Sequence, residues 1–180
     1  MEDLSKIYVS AKGLPPFIHK LGDNVVGCEL GVWTAQNMGY VLQQCPNIKK
    51  CYAIDAYLPY YDWNRYIGPD EINQVKAKSE EVRSWFGDRV HFIHANSVDA
   101  LAHIPDGSLD YVFVDGDHSY MAAKQDIYAY WHKVRKGGMF SGHDFSLPGV
   151  NQALAEFRAE FNITTPLQFC DNDIWLWYKE

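Results

Sequence analysis

A chain of 180 residues, 47% hydrophobic and 22% charged, has the length of one domain and enough apolar residues for a packed core. A formal net charge of −7 argues against nucleic acid as the main partner, because phosphate binding needs clustered Lys and Arg. The one tight basic group, Lys133, Arg135 and Lys136, sits just before Gly137-Gly138, where cations favour a helix C-terminus. Met1–Ser10 lacks the basic start and apolar core of a signal peptide, and no apolar run approaches membrane-spanning length. Cys28, Cys45, Cys51 and Cys170 form no CxxC pair, so free thiols in a reducing cytoplasm are expected.

In chain order, residues 1–23 read as a helical or irregular lead-in interrupted by Pro15-Pro16. Strand-like and helix-like segments then alternate. Strands are expected at Asn24–Glu29, Lys50–Asp55, Val90–His94, Tyr111–Asp115 and Gly138–Gly142. Apolar residues recur at helical spacing at Ala35–Cys45, Ile72–Phe86, Tyr120–Val134 and Val150–Phe161. Gly87 and Gly137-Gly138 mark helix ends. This alternation predicts an α/β fold with a parallel sheet covered on both faces. Leu167–Cys170 and Ile174–Tyr178, joined by Asp171-Asn172-Asp173, predict a C-terminal hairpin whose last strand runs antiparallel. The chain is read as a single domain, 1–180, with a lid-like insertion at residues 57–68 where Tyr57, Tyr60, Tyr61, Trp63 and Tyr66 crowd together.

In a sheet of this kind the chemistry sits at the strand tips. The first strand runs into Glu29-Leu30-Gly31-Val32-Trp33-Thr34-Ala35. Gly31 allows a tight turn, but the other glycines of G-x-G-x-x-G are missing, and Trp33 and Thr34 would crowd a pyrophosphate. Glu29 puts negative charge there, which suits a cationic ligand without phosphate. Asp55, at the second tip, is placed to accept hydrogen bonds from ribose hydroxyls or to cap its loop. Asn96 and Ser97, at the third, suit an adenine edge or a helix cap equally. The fourth strand delivers Asp115, Asp117 and His118 together, and the fifth ends in His143-Asp144.

VVGCELGVWTAQNM, CYAIDAY, VHFIHANSVDAL, LDYVFVDGDHSYMAAKQDI and VRKGGMFSGHDF, in that order, resemble class I S-adenosylmethionine-dependent methyltransferases, and more narrowly the small bacterial relatives of macrocin and catechol O-methyltransferases. The resemblance covers residues 24–180 and implies a Rossmann-like three-layer sandwich with seven strands, the last antiparallel. It implies S-adenosylmethionine as cofactor, with Glu29 and Gly31 facing its methionine part, Asp55 its ribose, and Asn96 and Ser97 its adenine. Trp33, Ala56 and Asp115 complete the expected cofactor set. Ala35 stands where many members have glycine.

Methyl transfer from a sulfonium is an in-line displacement, so the protein must position an acceptor and remove its proton. Relatives take the base from either D-x-D or D-x-x-H, and this chain carries both, as Asp117 and His118. Histidine titrates near neutrality, which favours His118 as base with Asp117 orienting it or lining the site. Asp115 and Asp144 could hold Mg²⁺ or another divalent cation. His143 stands where relatives have a second acid, which shifts the site toward a metal that accepts imidazole or leaves no stable site.

The expected reaction is methylation of a hydroxyl on a small-molecule acceptor, with no nucleic acid or membrane partner and room for a homo-oligomer. An NAD-type oxidoreductase lacks its glycine motif here. A nucleic-acid N-methyltransferase would show [DN]-P-P-[YF] where this chain has Asp115-Gly116-Asp117-His118. A cofactor-binding protein without catalysis is the remaining alternative.

Overall fold

The computed structural model describes residues 2–62, 65–171 and 173–180. Trp63 of the aromatic segment and Asn172 of the hairpin turn lie outside the described residues. Strands β1 (Val25–Leu30), β2 (Ile48–Ile54), β5 (Val90–Ile93), β6 (Leu109–Val114), β7 (Val134–Gly142), β8 (Gln168–Cys170) and β9 (Ile174–Tyr178) form a sheet in the order β5-β2-β1-β6-β7-β9-β8. The first five are parallel, and β9 runs antiparallel to both β7 and β8. A separate antiparallel ribbon pairs β3 (Tyr60–Asp62) with β4 (Arg65–Ile67). This is the α/β fold expected from the alternation of elements, and its seven strands with β9 antiparallel match the Rossmann-like sandwich that the resemblance implies.

Helices cover both faces, as nearly continuous apolar strands such as Leu109–Val114 require. On one face, Val41 and Leu42 of α2 (Gln36–Gln44) and Val82 of α3 (Pro69–Ser84) pack with Val25, Cys51 and Phe113. On the other, Ile127 and Tyr130 of α5 (Tyr120–Trp131) and Leu154 and Phe157 of α6 (Pro148–Glu160) pack with Leu30, Val112 and Phe140. Much of the aromatic content lies in this second layer. Trp131, Phe140, Phe157, Trp175 and Trp177 form a continuous set of ring contacts behind β7 and β9.

Two expectations are corrected. Pro15-Pro16 does not interrupt the lead-in but starts a helical turn, α1 (Pro15–Ile18), where proline's missing N–H costs nothing. Its Ile18, with Ala11 and Leu14 before it, is buried against the α2 face. Gly137-Gly138 does not end a long helix. α5 stops at Trp131, and β7 begins at Val134 and passes through both glycines as a bulge. Leu109 pairs with Val134 and Tyr111 with Met139, so the extra residues of β7 loop out, with Gly137 at φ 73°. The basic group therefore serves no helix end: Lys133 pairs with Asp106 and Arg135 with Asp110.

The chain leaves β1 toward β2 and β5 on one side and returns to β6 and β7 on the other. That makes the β1–β6 boundary the topological switch point, where open α/β sheets bind ligands.

Candidate active site

At the switch point the tips of β1 and β6 touch. Gly31 has φ 78°, and a Cβ there would stand 2.2 Å from the Asp115 carbonyl oxygen. Only glycine satisfies both the left-handed backbone and the contact. Trp33 (φ 50°), Ala35 (φ 60°), Tyr57 (φ 47°) and Asp144 (φ 60°) are also left-handed, and all lie at the tips of β1, β2 and β7. Such conformations gather where the surrounding structure holds a functional loop. Ala35, N-cap of α2, keeps the backbone of a glycine although it is not one.

Glu29 lies in β1 and Asp115 follows β6 at this contact. Glu29 is 4% exposed. The Met38 N–H, in the first turn of α2, donates to its carboxyl, and Oε1 has no hydrogen-bond partner among the described residues. Burial, followed by the charge of Asp115, holds Glu29 well above the usual carboxylate range. Asp115 is pushed up to about 6, chiefly by burial, with His143 opposing the shift.

Two residues without a sequence signal hold Asp115 in place. Asn37 Nδ2 donates to Asp115 Oδ2 at 3.0 Å and to Ser10 Oγ at 2.6 Å. Ser10 Oγ reaches the same carboxylate oxygen at 3.3 Å, and the Ser10 N–H donates to Asn37 Oδ1 at 2.9 Å. The lead-in is thereby clasped to α2 and to the tip of β6.

Across the sheet, His118 Nε2 lies 2.8 Å from Asp144 Oδ2. His143 Nδ1 lies 3.1 Å from Asp144 Oδ1 and 3.6 Å from Asp115 Oδ1. Burial opposes ionisation of Asp144, but hydrogen bonds from both histidines outweigh it and hold the carboxyl well below its usual range. The backbone fixes this group from two sides. The Trp175 indole donates to the His143 carbonyl at 2.9 Å. Gly149 lets α6 approach so closely that a Cβ would stand 2.8 Å from the His118 carbonyl oxygen. Ligand atoms of Asp115, His118 and Asp144 all lie within 4.8 Å of one another. Two carboxylates and an imidazole at that spacing are a reasonable donor set for one divalent ion.

Asp117 lies in the loop between β6 and α5. It is exposed, and its Oδ1 accepts the Ser119 N–H at 2.7 Å, capping the turn into α5. The carboxylate paired with His118 Nε2 is that of Asp144. Asp55 accepts the Trp33 N–H at 2.9 Å on one oxygen and the Tyr57 N–H at 2.8 Å on the other, so it ties the β1 and β2 loops together. Ala56 lies half-buried between them. Asn96 caps the short helix α4 (Ser97–Ala100) by accepting the Asp99 N–H. The Ser97 hydroxyl donates to Asp126 of α5. Trp33 meets the β3–β4 ribbon edge-on through Tyr60, with ring centroids 6.3 Å apart, and its carbonyl accepts from Tyr57 Oη at 3.0 Å. The ribbon is anchored by buried Tyr57 and Ile67, while Leu58, Tyr61 and Tyr66 are exposed. Two shallow grooves of about 500 and 390 Å³ lie along β5, and neither is lined by Asp115, His118 or Asp144.

Residues 25–145 match the family described as a methyltransferase domain. No curated protein matches the chain. Among solved structures, the O-methyltransferase NovP is similar at a TM-score of 0.65 and 21% identity, covering 98% of this chain and 78% of its own. The calicheamicin methyltransferase CalS11 is similar at 0.66 and 14%, covering 91% and 76%. A precorrin 8w decarboxylase from Methanobacterium thermoautotrophicum is similar at 0.63 and 18%, covering 100% and 96%. At these identities the structural likenesses establish a shared fold.

Proposed function

This chain belongs to the methyltransferase-domain family, and on that premise we propose that it transfers a methyl group from S-adenosylmethionine to a hydroxyl of a small-molecule acceptor. The observation that carries the reading is the His118–Asp144 pair, 2.8 Å apart, beside the β1–β6 switch point. The O-methyltransferases among its structural neighbours support a hydroxyl acceptor.

The residues at the switch point suit the cofactor. Gly31 lets the β1 turn lie against the Asp115 backbone, which brings the tips of β1 and β6 together where the cofactor would sit. Glu29 is a buried acid whose Oε1 has no hydrogen-bond partner among the described residues; the charges of Asp115 and Asp55 help to raise it, and a cationic ligand beside them would relieve that repulsion. Glu29 and Gly31 would face its methionine part, with Asp115, Trp33 and Ala56 beside it. Asp55 would meet the ribose, and Asn96 with Ser97 the adenine. S-adenosylmethionine, when bound, supplies an activated methyl group whose departure leaves a neutral thioether.

The protein's own residues do the rest. His118 takes the proton from the acceptor hydroxyl as its oxygen bonds to the methyl carbon. Asp144 orients the imidazole and stabilises the imidazolium that forms, as a carboxylate does behind a catalytic histidine. Asn37 and Ser10 fix Asp115 under the acceptor side. Exposed Leu58, Tyr61 and Tyr66 on the ribbon suit a cover for cofactor and acceptor. The insertion at 57–68 is then a lid on one catalytic domain.

A second reading is favoured by the compact donor set. A divalent ion would be held by Asp115, Asp144 and one imidazole, from His118 or His143. It would orient the acceptor oxygen and lower its pKa. The nitrogen donor favours Mn²⁺, Fe²⁺ or Zn²⁺ over Mg²⁺. If His118 is the ligand, it is not the base. The deciding experiment is an acceptor screen, with S-adenosylhomocysteine formation as readout, with and without EDTA. Activity that survives complete metal removal supports the His118–Asp144 base, and activity lost with EDTA and restored by Mn²⁺ supports the metal.

A further inference from the structure

The proposed reaction puts two halves of the site on different loops. The nucleoside end of the methyl donor belongs to the Asn96–Ser97 turn after β5. The acceptor base belongs to the Gly116–Ser119 loop after β6. Asp126 stands between them.

Asp126 lies on α5 and is 6% exposed. Its Oδ1 accepts the Ser97 hydroxyl. Its Oδ2 faces Gly116 so closely that a Cβ there would stand 3.3 Å away. One turn further along α5, Tyr130 Oη donates to the Ser97 carbonyl at 2.8 Å. A single face of α5 therefore holds Ser97 by its hydroxyl and by its carbonyl. The same helix is capped by Ser119, directly after His118.

Asp126 is a costly choice for that position. No salt bridge reaches it among the described residues. Its neighbours Ser97, Asp117, Cys28 and Tyr130 supply no positive charge. An apolar side chain would fill the space between α5 and the sheet without the desolvation penalty. What an apolar side chain cannot do is fix the Ser97 hydroxyl.

We propose that Asp126 is a positioning residue for the methyl donor: with Tyr130 it locks the turn after β5 to the helix that follows the His118 loop, so that donor and base keep one register. The inference rests on the methyltransferase reading. In-line transfer is sensitive to displacements of about 1 Å, so a tie between the two loops bears on the reaction as well as on folding.

The test is calorimetry with S-adenosylhomocysteine on the full chain, with thermal unfolding of each variant in parallel. Asp126→Ala and Ser97→Ala are each expected to weaken binding by about tenfold, the loss of one well-placed hydrogen bond. The double variant is expected to be no weaker than either single one, because both break the same link. Asp126→Asn keeps an oxygen that accepts from Ser97 and is expected to stay within about threefold of the parent. A purely structural Asp126 would lower the melting temperature and leave the affinity of the folded protein unchanged. Parent-like affinity in Asp126→Ala, or additive losses in the double variant, would overturn the inference. If Asp126→Ala does not fold, Tyr130→Phe decides in its place: it removes the second tie, to the Ser97 carbonyl, and parent-like affinity there overturns the inference. A parent protein that binds no S-adenosylhomocysteine overturns the methyltransferase reading itself, a result distinct from failure of the variants.

Discussion

His118 and Asp144 stand 2.8 Å apart across the tips of β6 and β7, and the two residues come from loops 26 positions apart in the chain. Their proximity follows from parallel pairing of β6 with β7, which puts Val114 opposite Gly142 and starts both loops at the same edge. Asp144 adopts φ 60°, a region that aspartate tolerates better than most residues, and this turns its carboxylate back toward the histidine. The pair has the geometry of a base with its orienting acid.

Removing the base should leave binding nearly intact and slow transfer. His118→Ala is expected to lower turnover by about 10²- to 10⁴-fold, the usual contribution of general-base catalysis. Asp144→Asn should cost less than His118→Ala, because the imidazole remains but loses its charged partner. Asp117→Asn should change turnover by less than about threefold, since Asp117 caps a turn. Steady-state rates of the three variants with one acceptor check the ranking.

Asp126 gives a pH dependence of stability with a definite sign. Burial raises its carboxyl from 3.8 to about 6, with the Ser97 hydrogen bond opposing and Asp117 adding to the rise. The folded state therefore binds more protons than the unfolded state between those values. Stability from this group is fully present below about pH 4 and is lost as pH rises through about 6. Asp126→Asn cannot ionise, so it should be more stable than the parent at pH 8, by up to about 3 kcal/mol, and equal to it near pH 4. Urea unfolding at both pH values measures the difference.

The turn after β1 makes a paired prediction. Ala35 holds a left-handed conformation that costs an L-residue roughly 1–2 kcal/mol. Ala35→Gly should therefore be neutral or stabilising by up to about 1 kcal/mol, after the entropy that glycine adds to the unfolded chain. Gly31→Ala meets both a positive φ and the Asp115 carbonyl, and should destabilise by roughly 3 kcal/mol while weakening cofactor binding. Melting temperatures of the two variants should move in opposite directions or differ by several degrees.

The fold was legible because its elements obey local rules. Apolar runs, helical spacing and the Asp171–Asp173 turn marked each main strand and helix to within a few residues. The misread places are those where tertiary contacts override the local signal. Gly137-Gly138 looks like a helix stop, yet β7 absorbs both as a bulge beside Asp110. Site residues brought together by neighbouring strand tips, such as Asp115 and Asp144, could be inferred from topology. Ser10 and Asn37 could not, since nothing in a lead-in serine or a helix-surface asparagine foretells a bond across 105 or 78 positions. The Asp117 carboxylate takes up the Ser119 N–H in the turn before α5, a bond that its place beside His118 in the sequence does not announce.

A metal, if it takes part, should bind where the carboxylates converge. Titration with Mn²⁺ is expected to stabilise the parent against heat and to leave Asp115→Asn and Asp144→Asn unaffected, by simple linkage of binding to folding. Equal stabilisation of all three proteins would place the ion elsewhere.

The proposed methyl transfer depends on S-adenosylmethionine binding at the β1–β6 switch point. Isothermal calorimetry with S-adenosylhomocysteine and, separately, NAD tests it most directly. Saturable binding of one S-adenosylhomocysteine per chain, strongly weakened by Gly31→Ala and with no heat from NAD, is the predicted result. Tight binding of NAD with no response to S-adenosylhomocysteine would contradict it.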